Sequence, residues 1–167
     1  MRLIRKNVFE TNSSSTHTLT IGKQQKDYLA PSKTLIIDFI DTDEEFTLGT
    51  LKEKVSYLVS QIIGKYKYDV YDYADLKEQV ENDVDFKRIA NYVKDKYGKE
   101  VRLPKTYKVN TCKDEDGEEY TDIDEIVNIN HQIRCYSLDE LLNELVEERD
   151  LLDDVLRDDT YIEIGRD

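Results

Sequence analysis

The residues best suited to chemistry lie near the start of the chain, in the segment Asn12-Ser13-Ser14-Ser15 and at His17. Serine hydroxyls beside an imidazole can bind a phosphate within a backbone turn, or can form a nucleophile with its base. The same residues also fit a plain structural role, in which Asn and Ser satisfy turn backbone groups while His17 lies half-buried on a strand. Both interpretations stay open at this point.

His17 and His131 are the two histidines of the chain. With Glu163 or Asp167 they would form a metal or acid–base site if the first and last strands of the fold are neighbours. Neither histidine has a partner at the helical spacing of a metal site, and isolated strand histidines are more often structural. We therefore expect no metal and no cofactor. If the protein is a small enzyme, its candidate catalytic residues are Ser13, Ser14, Ser15, His17, His131 and Glu163.

The acidic turn Asp114-Glu115-Asp116-Gly117 invites comparison with a calcium loop. With Gly117 at the sixth position of an EF-hand loop, Cys112 falls at the first position and Ile123 at the twelfth. Both positions need carboxylate ligands, so the EF-hand is excluded. An Asp-Gly pair is instead typical of a β-hairpin turn.

Charge is unevenly distributed along the chain. The net charge is -13, and residues 111–167 hold 20 Asp and Glu against 5 Lys and Arg, whereas residues 1–110 hold 17 against 19. Carboxylates along a helix can imitate nucleic-acid phosphates and occupy the basic groove of a nuclease. The alternative is an ordinary solvated helix face. The candidate partner-binding residues are Glu144, Glu147, Glu148, Asp150, Asp153, Asp154, Asp158 and Asp159. Like charge disfavours direct nucleic-acid binding at this acidic face.

Length and composition favour one domain over residues 1–167. A chain of this length can bury a sizeable core, and its 38% hydrophobic residues fall in periodic runs. No stretch resembles a secretory leader or a membrane span, and Cys112 and Cys135 are too few for a disulfide framework. These features predict a cytoplasmic protein.

Strand patterns dominate the first forty residues. Alternation predicts a β-hairpin formed by Arg2–Phe9 and Thr16–Ile21, ending at Gly22. The nearly continuous apolar run Thr34–Ile40 predicts a central strand that is buried on both faces. Further strands are predicted over 101–103, 106–110, 119–123, 125–129 and 160–164.

Helical patterns lie between these strands. The spacing of Leu48, Leu51, Val55, Leu58 and Ile62 predicts an amphipathic helix that ends at Gly64. A second helix is predicted over Leu76–Tyr97 with Gly98 as its stop, and a third over Leu138–Leu145 behind a capping box at Ser137. Together the elements predict an α+β domain with a mostly antiparallel sheet and about three packed helices.

The segment Phe9-Glu10-Thr11-Asn12-Ser13-Ser14-Ser15-Thr16-His17 resembles the opening signature of a family of small uncharacterised phage and prophage proteins. Looser similarity extends to Glu45-Phe46, Ser56-Tyr57, His131-Gln132 and Tyr161-Ile162-Glu163 with Gly165 and Asp167. The family often continues its Glu-Phe with Gly-Trp, where this chain has Thr47-Leu48. It often has Asp-His-Gln-Ser, where this chain has Asn130-His131-Gln132-Ile133. The resemblance implies a viral origin and no particular activity.

Three functions are compatible with these patterns. The leading hypothesis is a phage-encoded, non-enzymatic accessory protein that binds and inhibits a host protein. A defence nuclease is the favoured partner, which would make the protein an anti-CRISPR or other anti-defence factor acting in the host cytoplasm as a nucleic-acid mimic. The second is a small enzyme that acts on a phosphorylated or nucleotide substrate at the Ser/His loop. The third is a structural virion or assembly protein.

Overall fold

Nine strands and four helices make up the described part of the chain. The computed structural model describes residues 4–5, 9–10, 16–24, 31–40, 46–66, 72–105, 111–113, 116–117, 119–121 and 149–166. The strands are β1 (Ile4–Arg5), β2 (Phe9–Glu10), β3 (Thr16–Lys23), β4 (Thr34–Ile36), β5 (Phe46–Leu48), β6 (Glu100–Arg102), β7 (Thr111–Lys113), β8 (Glu119–Thr121) and β9 (Thr160–Arg166). The helices are α1 (Leu51–Tyr66), α2 (Tyr73–Asn82), α3 (Val84–Tyr97) and α4 (Arg149–Leu156).

The main sheet joins the beginning of the sequence to its end. Its order is β1-β3-β9-β5, β2 also pairs with β3, and every pairing is antiparallel. A parallel pair, β4 with β6, and an antiparallel hairpin, β7 with β8, lie outside it. The α+β class with a mostly antiparallel sheet is thereby confirmed. Of the predicted strand over Arg2–Phe9, the described residues belong to β1 and β2, both of which pair with β3.

Strand register divides the residues of the main sheet between two faces. Leu19 is opposite Ile164, and Ile21 is opposite Ile162, which is 1% exposed. Successive residues of a strand point to opposite faces of the sheet. Residues an even number of positions from Ile21 and Ile162, and their register partners, therefore lie on the core-side face. Residues in phase with Glu163, which is exposed, lie on the outer face. The outer face includes Thr20 and Thr47, the two register partners of Glu163.

The sequence predicted that Gly22 ends β3, but Gly22 lies inside β3, opposite Tyr161. A Cβ at Gly22 would collide with the ring of Tyr161. The absence of a side chain therefore lets the aromatic ring of one strand lie against the backbone of the next.

Helix α1 forms the centre of the core. Thr50 and Glu53 begin it with a capping box, in which the Thr50 Oγ1 accepts from the Glu53 N–H at 3.1 Å and the Glu53 carboxylate accepts from the Thr50 N–H at 2.8 Å. The helix continues through Gly64, which was predicted to stop it, as far as Tyr66. Its buried residues are Leu51, Lys54, Val55, Ser56, Tyr57, Leu58, Val59, Ser60, Gln61, Ile62 and Ile63.

The predicted strand Thr34–Ile40 is a strand only over its first three residues. Leu35 and Ile37 are buried, which confirms their place in the core, but Ile36 is 54% exposed, so burial on both faces was wrong. After β4 the chain stays hydrogen-bonded along α1, because the N–H groups of Asp38 and Ile40 donate to the Oγ atoms of Ser56 and Ser60, each at 3.0 Å.

The predicted helix Leu76–Tyr97 is two helices that meet at Asp83. Asp83 has φ -60° and ψ 140°, which interrupts helical geometry, and its carboxylate accepts from the N–H groups of Asp85 and Phe86 as the N-cap of α3. Gly98 ends α3 in the left-handed conformation with φ 64°, as predicted for a glycine stop.

Several predicted elements lie outside the described residues. They are the strands over 106–110 and 125–129 and the helix over Leu138–Leu145. The predicted hairpin at Asp116-Gly117 is found, with Lys113 opposite Glu119.

Candidate functional site

The short helix α4 carries the described part of the acidic third. Leu152, Val155 and Leu156 are buried, at the three- and four-residue spacing that gives a helix one apolar face. This face packs on α1 and β9. Asp150, Asp153 and Asp154 interleave with these apolar residues along the helix.

The C-terminal end of α4 is held by side chains from two other helices. Lys54 of α1 is fully buried, and its ammonium donates to the carbonyl oxygen of Arg157 at 2.6 Å and to that of Thr160. The Tyr97 hydroxyl of α3 donates to the carbonyl oxygen of Leu156 at 2.7 Å. A helix leaves its last carbonyl groups without partners inside the helix and carries partial negative charge there, so a cation and a hydroxyl are suitable caps.

Asp153 ties α4 to α3. Its Oδ1 accepts from the Lys96 ammonium at 2.5 Å and from the Tyr92 hydroxyl. These hydrogen bonds, that of Lys96 first, hold the pKa of Asp153 below its ordinary value. The carboxylate therefore serves the internal packing of two helices, although its side chain remains 34% exposed.

Asp159 makes a bidentate ion pair within the turn between α4 and β9. Its two carboxylate oxygens accept from the Nε and Nη2 of Arg157 at 2.8 and 2.7 Å. The hydrogen bond from Arg157 lowers the pKa of Asp159, and the same bond raises that of Arg157. The Asp159 carbonyl oxygen also accepts from the Gln24 N–H at 2.9 Å, which fixes the turn against the end of β3.

We call Asp153, Asp154, Asp158 and Asp159 the acidic corner. Three of them act on Tyr97, whose pKa is raised to about 12 by burial and by the negative charges of Asp158, Asp153 and Asp159. Within the part of the chain that the structure describes, Asp154 makes no ion pair or hydrogen bond through its side chain. The corner thus combines Asp153 and Asp159, which fix the fold through hydrogen bonds, with Asp154, whose charge is felt by the Arg157 guanidinium without a direct contact.

The remaining predicted partner-binding residues, Glu144, Glu147 and Glu148, lie outside the described residues. Asp150 is the second residue of α4.

The predicted catalytic residues are not brought together where the structure describes them. His17 is on β3 and Glu163 on β9, and the two strands are indeed neighbours. The register partner of His17 is Arg166, however, and that of Glu163 is Thr20. By register, His17 belongs to the core-side face of the sheet and Glu163 to the outer face, so the two belong to opposite faces. Ser13, Ser14, Ser15 and His131 lie outside the described residues.

Among the described residues, no three His, Cys, Asp or Glu side chains are grouped so that they could hold a metal ion. None of the described helices has the length and apolar character needed to cross a membrane.

The sequence interpretation missed the basic and aromatic residues that organise the acidic corner. Lys54 falls three residues after Leu51 and four before Leu58, so it lies on the apolar stripe of α1, and this spacing was a usable signal. Tyr92, Lys96 and Tyr97 gave no comparable signal, because their partners are about sixty residues away in sequence.

Comparison with known proteins adds no relative, since no family model, curated protein or solved structure matches this chain.

Proposed function

We propose that the protein is a non-enzymatic binding protein that places its acidic corner against a basic groove of a partner protein. The observation that carries the proposal is the way in which the corner is held. Lys54, Tyr97 and the Arg157–Asp159 pair fix the junction of α4 and β9, so its carboxylates have a defined arrangement before any partner arrives. A preorganised charged surface loses less entropy on binding than a flexible acidic tail.

The carboxylates of the corner have different roles in this proposal. Asp153 and Asp159 accept hydrogen bonds from cations of the same chain and so anchor the corner. Asp154, with Asp150 and Asp158 nearby in sequence, supplies negative charge for a partner. The Glu144, Glu147 and Glu148 side chains of the same acidic stretch would extend that charge.

A protein with a nucleic-acid-binding groove is the partner that best fits this chemistry. Such grooves carry Lys and Arg at the spacing of phosphates, and an array of carboxylates can occupy them. The chain's resemblance to phage and prophage proteins favours a host defence nuclease, an anti-CRISPR or other anti-defence role, and action in the host cytoplasm. Electrostatic attraction would act chiefly on the association rate.

The first prediction tests the location of the charge and not only its amount. The variant Asp150→Asn, Asp154→Asn, Asp158→Asn removes the negative charges of two corner residues and of Asp150, and it keeps the anchors Asp153 and Asp159. The control Glu78→Gln, Glu81→Gln, Asp95→Asn removes three exposed charges from α2 and α3. A partner recovered from host lysate should associate about tenfold more slowly with the first variant at low salt, and at nearly the wild-type rate with the control.

Surface plasmon resonance at several salt concentrations measures these rates, and a duplex DNA should compete with the wild-type protein for the partner. Equal slowing in both variants would mean that only net charge matters. A first variant with the wild-type rate and salt dependence would refute docking through the corner.

A further inference from the structure

A single residue, Asp83, joins two halves of the chain that are bound closely to each other. It lies between Asn82, the last residue of α2, and Val84, the first residue of α3. Strands β1 to β5 and helices α1 and α2 precede it, and α3, α4 and strands β6 to β9 follow it. The halves are held together because β9 pairs with β3 and β5, β6 pairs with β4, and Lys54 caps α4.

The sequence around Asp83 is compatible with one continuous helix. Val84 is 67% exposed, although Leu76 and Val80, eight and four residues before it, are completely buried. In a continuous helix these three side chains would lie on one side, so the apolar stripe of α2 would extend to Val84. Within the described residues the Val84 N–H has no acceptor, and in a continuous helix it would donate to the carbonyl oxygen of Val80.

Contacts from α1 and α3 hold Asp83 outside helical geometry. The Asp83 Oδ1 accepts from the N–H groups of Asp85 and Phe86 at 2.7 and 3.1 Å, and its Oδ2 accepts from the Tyr66 hydroxyl at 2.5 Å. The Lys65 ammonium pairs with Asp85 at 2.6 Å and lies 3.8 Å from the Asp83 Oδ2. In a continuous helix the Asp83 carboxylate would no longer cap α3, because the N–H groups of the first turn would find backbone carbonyls instead. We call the Asp83 carboxylate, with its hydrogen bonds, the latch.

A continuous helix does not fit the single chain. Over residues 73–97 it would be about 37 Å long at about 1.5 Å per residue, and it would draw α3 away from the core. Phe86, Ile89 and Val93, which are now buried, would then be exposed to water at a large cost in free energy. A second copy of the chain removes this cost, because it offers α3 and β9 the same α1, β3 and β5 surfaces that they leave.

We propose that the latch keeps the protein monomeric, and that its release lets α2 and α3 join while two copies exchange residues 84–167. Such a domain-swapped dimer keeps the contacts between the two halves, so the conformation at Asp83 decides between monomer and dimer. In the dimer, Lys54 of one copy would cap α4 of the other, and each acidic corner would be completed by the second copy. The doubling of the corner rests on the proposed docking function, whereas the exchange of residues 84–167 does not.

The second prediction is that Asp83→Ala forms the dimer. Alanine favours a helix interior and cannot cap α3, so refolding at high protein concentration should raise the association constant about tenfold or more over the wild type. Asp72→Ala is the matched control. Asp72 caps α2 in the same way, by accepting from the Asp75 N–H at 2.8 Å, but it does not lie between two helices. Analytical ultracentrifugation measures the mass and the association constant without any host partner.

Adding Val84→Pro to Asp83→Ala tests whether the dimer contains the continuous helix. Proline is favourable at the first position of a helix and disruptive in its interior. The φ of -60° and ψ of 140° at Asp83 also suit a residue that precedes proline. The double variant should therefore remain a monomer. In the Asp83→Ala dimer, hydrogen exchange of the Val84 amide should be slower than in the wild-type monomer.

Three results would overturn the proposal: an Asp83→Ala variant as monomeric as the wild type, an Asp72→Ala variant that dimerises equally, or a dimer that persists with Val84→Pro. Should Asp83→Ala fail to fold, Tyr66→Phe decides. It removes one hydrogen bond from the latch and keeps the cap, so it should still raise the association constant, and an unchanged constant contradicts the latch. Because no partner takes part in these measurements, their failure leaves docking through the acidic corner untouched.

Discussion

At the scale of single residues, Lys54 decides how the acidic corner is attached. Its side chain is fully buried between α1 and the end of α4, where it donates to the carbonyl oxygens of Arg157 and Thr160 and to the Thr160 Oγ1. Burying an ammonium is costly unless its donors are satisfied. The partial negative charge at the end of α4 offsets that cost, so the lysine acts as a helix cap supplied from another helix.

Replacing this lysine gives the third prediction. Lys54→Met preserves much of the side-chain volume but leaves the buried carbonyl groups without their donor, which should lower the free energy of unfolding by about 2 kcal/mol. Urea denaturation followed by circular dichroism measures the loss. Lys52→Met is the control, because Lys52 is exposed and pairs with Asp38 on the surface, a contribution of at most about 1 kcal/mol. A loss for Lys54→Met no larger than that of the control would show that the cap is dispensable.

Sequence could predict part of this residue-level picture. The position of Lys54 on the apolar stripe of α1 was readable, but lysine is rarely fully buried, so the pattern favours a solvated side chain. The acidic character of residues 150–159 is a direct property of the sequence. Which of those carboxylates anchor the fold was not predictable, because the partners Tyr92 and Lys96 come from a separate helix.

At the scale of elements, α1 takes the place of a neighbouring strand for residues 38–40, whereas the Ile37 N–H still donates to the carbonyl oxygen of Arg102 in β6. Ser56 and Ser60 are four residues apart and lie on one side of the helix, where their Oγ atoms accept from the N–H groups of Asp38 and Ile40. The backbone spacing of alternate residues in an extended chain thus matches one turn of helix. Since the side-chain pattern of such a segment equals that of a strand, its sequence predicted β structure.

The fourth prediction follows from this arrangement. The double variant Ser56→Ala, Ser60→Ala should destabilise the protein by about 1–2 kcal/mol in total, because two backbone donors lose partly buried acceptors. Amide hydrogen exchange should accelerate at Asp38 and Ile40 and stay unchanged in β3. The control Ser32→Ala removes an exposed hydroxyl that hydrogen-bonds to Thr34, and it should have a smaller effect on stability. Unchanged exchange at Asp38 and Ile40 in the double variant would contradict the role of the serines.

The two-helix structure of residues 73–97 shows a second limit of periodicity. Apolar residues continue at helical spacing across Asp83, so the pattern predicted one helix. Asp83 instead caps α3, and its Oδ2 accepts from the Tyr66 hydroxyl at 2.5 Å, a partner from α1. An aspartate, which is a common N-cap residue, inside the apolar pattern indicated a possible helix end at Asp83. The hydrogen bond from Tyr66 that favours this end could not be predicted from the local sequence.

At the scale of the whole molecule, acidic residues make stability depend on pH. The pKa of Asp153 is lowered in the folded state by its hydrogen bonds from Lys96 and Tyr92. A carboxylate with a lowered folded pKa contributes stability that is fully present above its unfolded pKa of about 3.9 and is lost as pH falls through the folded value. The fifth prediction is therefore a loss of stability below about pH 4 that involves the attachment of α4 to α3.

The Asp153→Asn variant tests this assignment. It should be less stable than the wild type at pH 7, by about 1 kcal/mol as is usual for a partly exposed ion pair. The difference in melting temperature between the two proteins should shrink as pH falls below about 4, because the wild type then loses the same charge. A difference that stays constant from pH 7 to pH 3 would show that another carboxylate governs the acid transition.

The position of β9 between β3 and β5 has a consequence for how the chain folds. Strand β9 follows β5 by more than one hundred residues, yet it joins β3 to β5 and no described strand does so in its absence. Pairings so distant in sequence form slowly, because a long loop must close first. Before β9 pairs with β3, one edge of β3 is unpaired. An unpaired strand edge can pair with another chain and so act as a template for aggregation. The packing of Tyr161 against Gly22 then favours the native register between β9 and β3. A shift of the register by two residues would place the Tyr161 ring against the Cβ of Thr20 or Gln24.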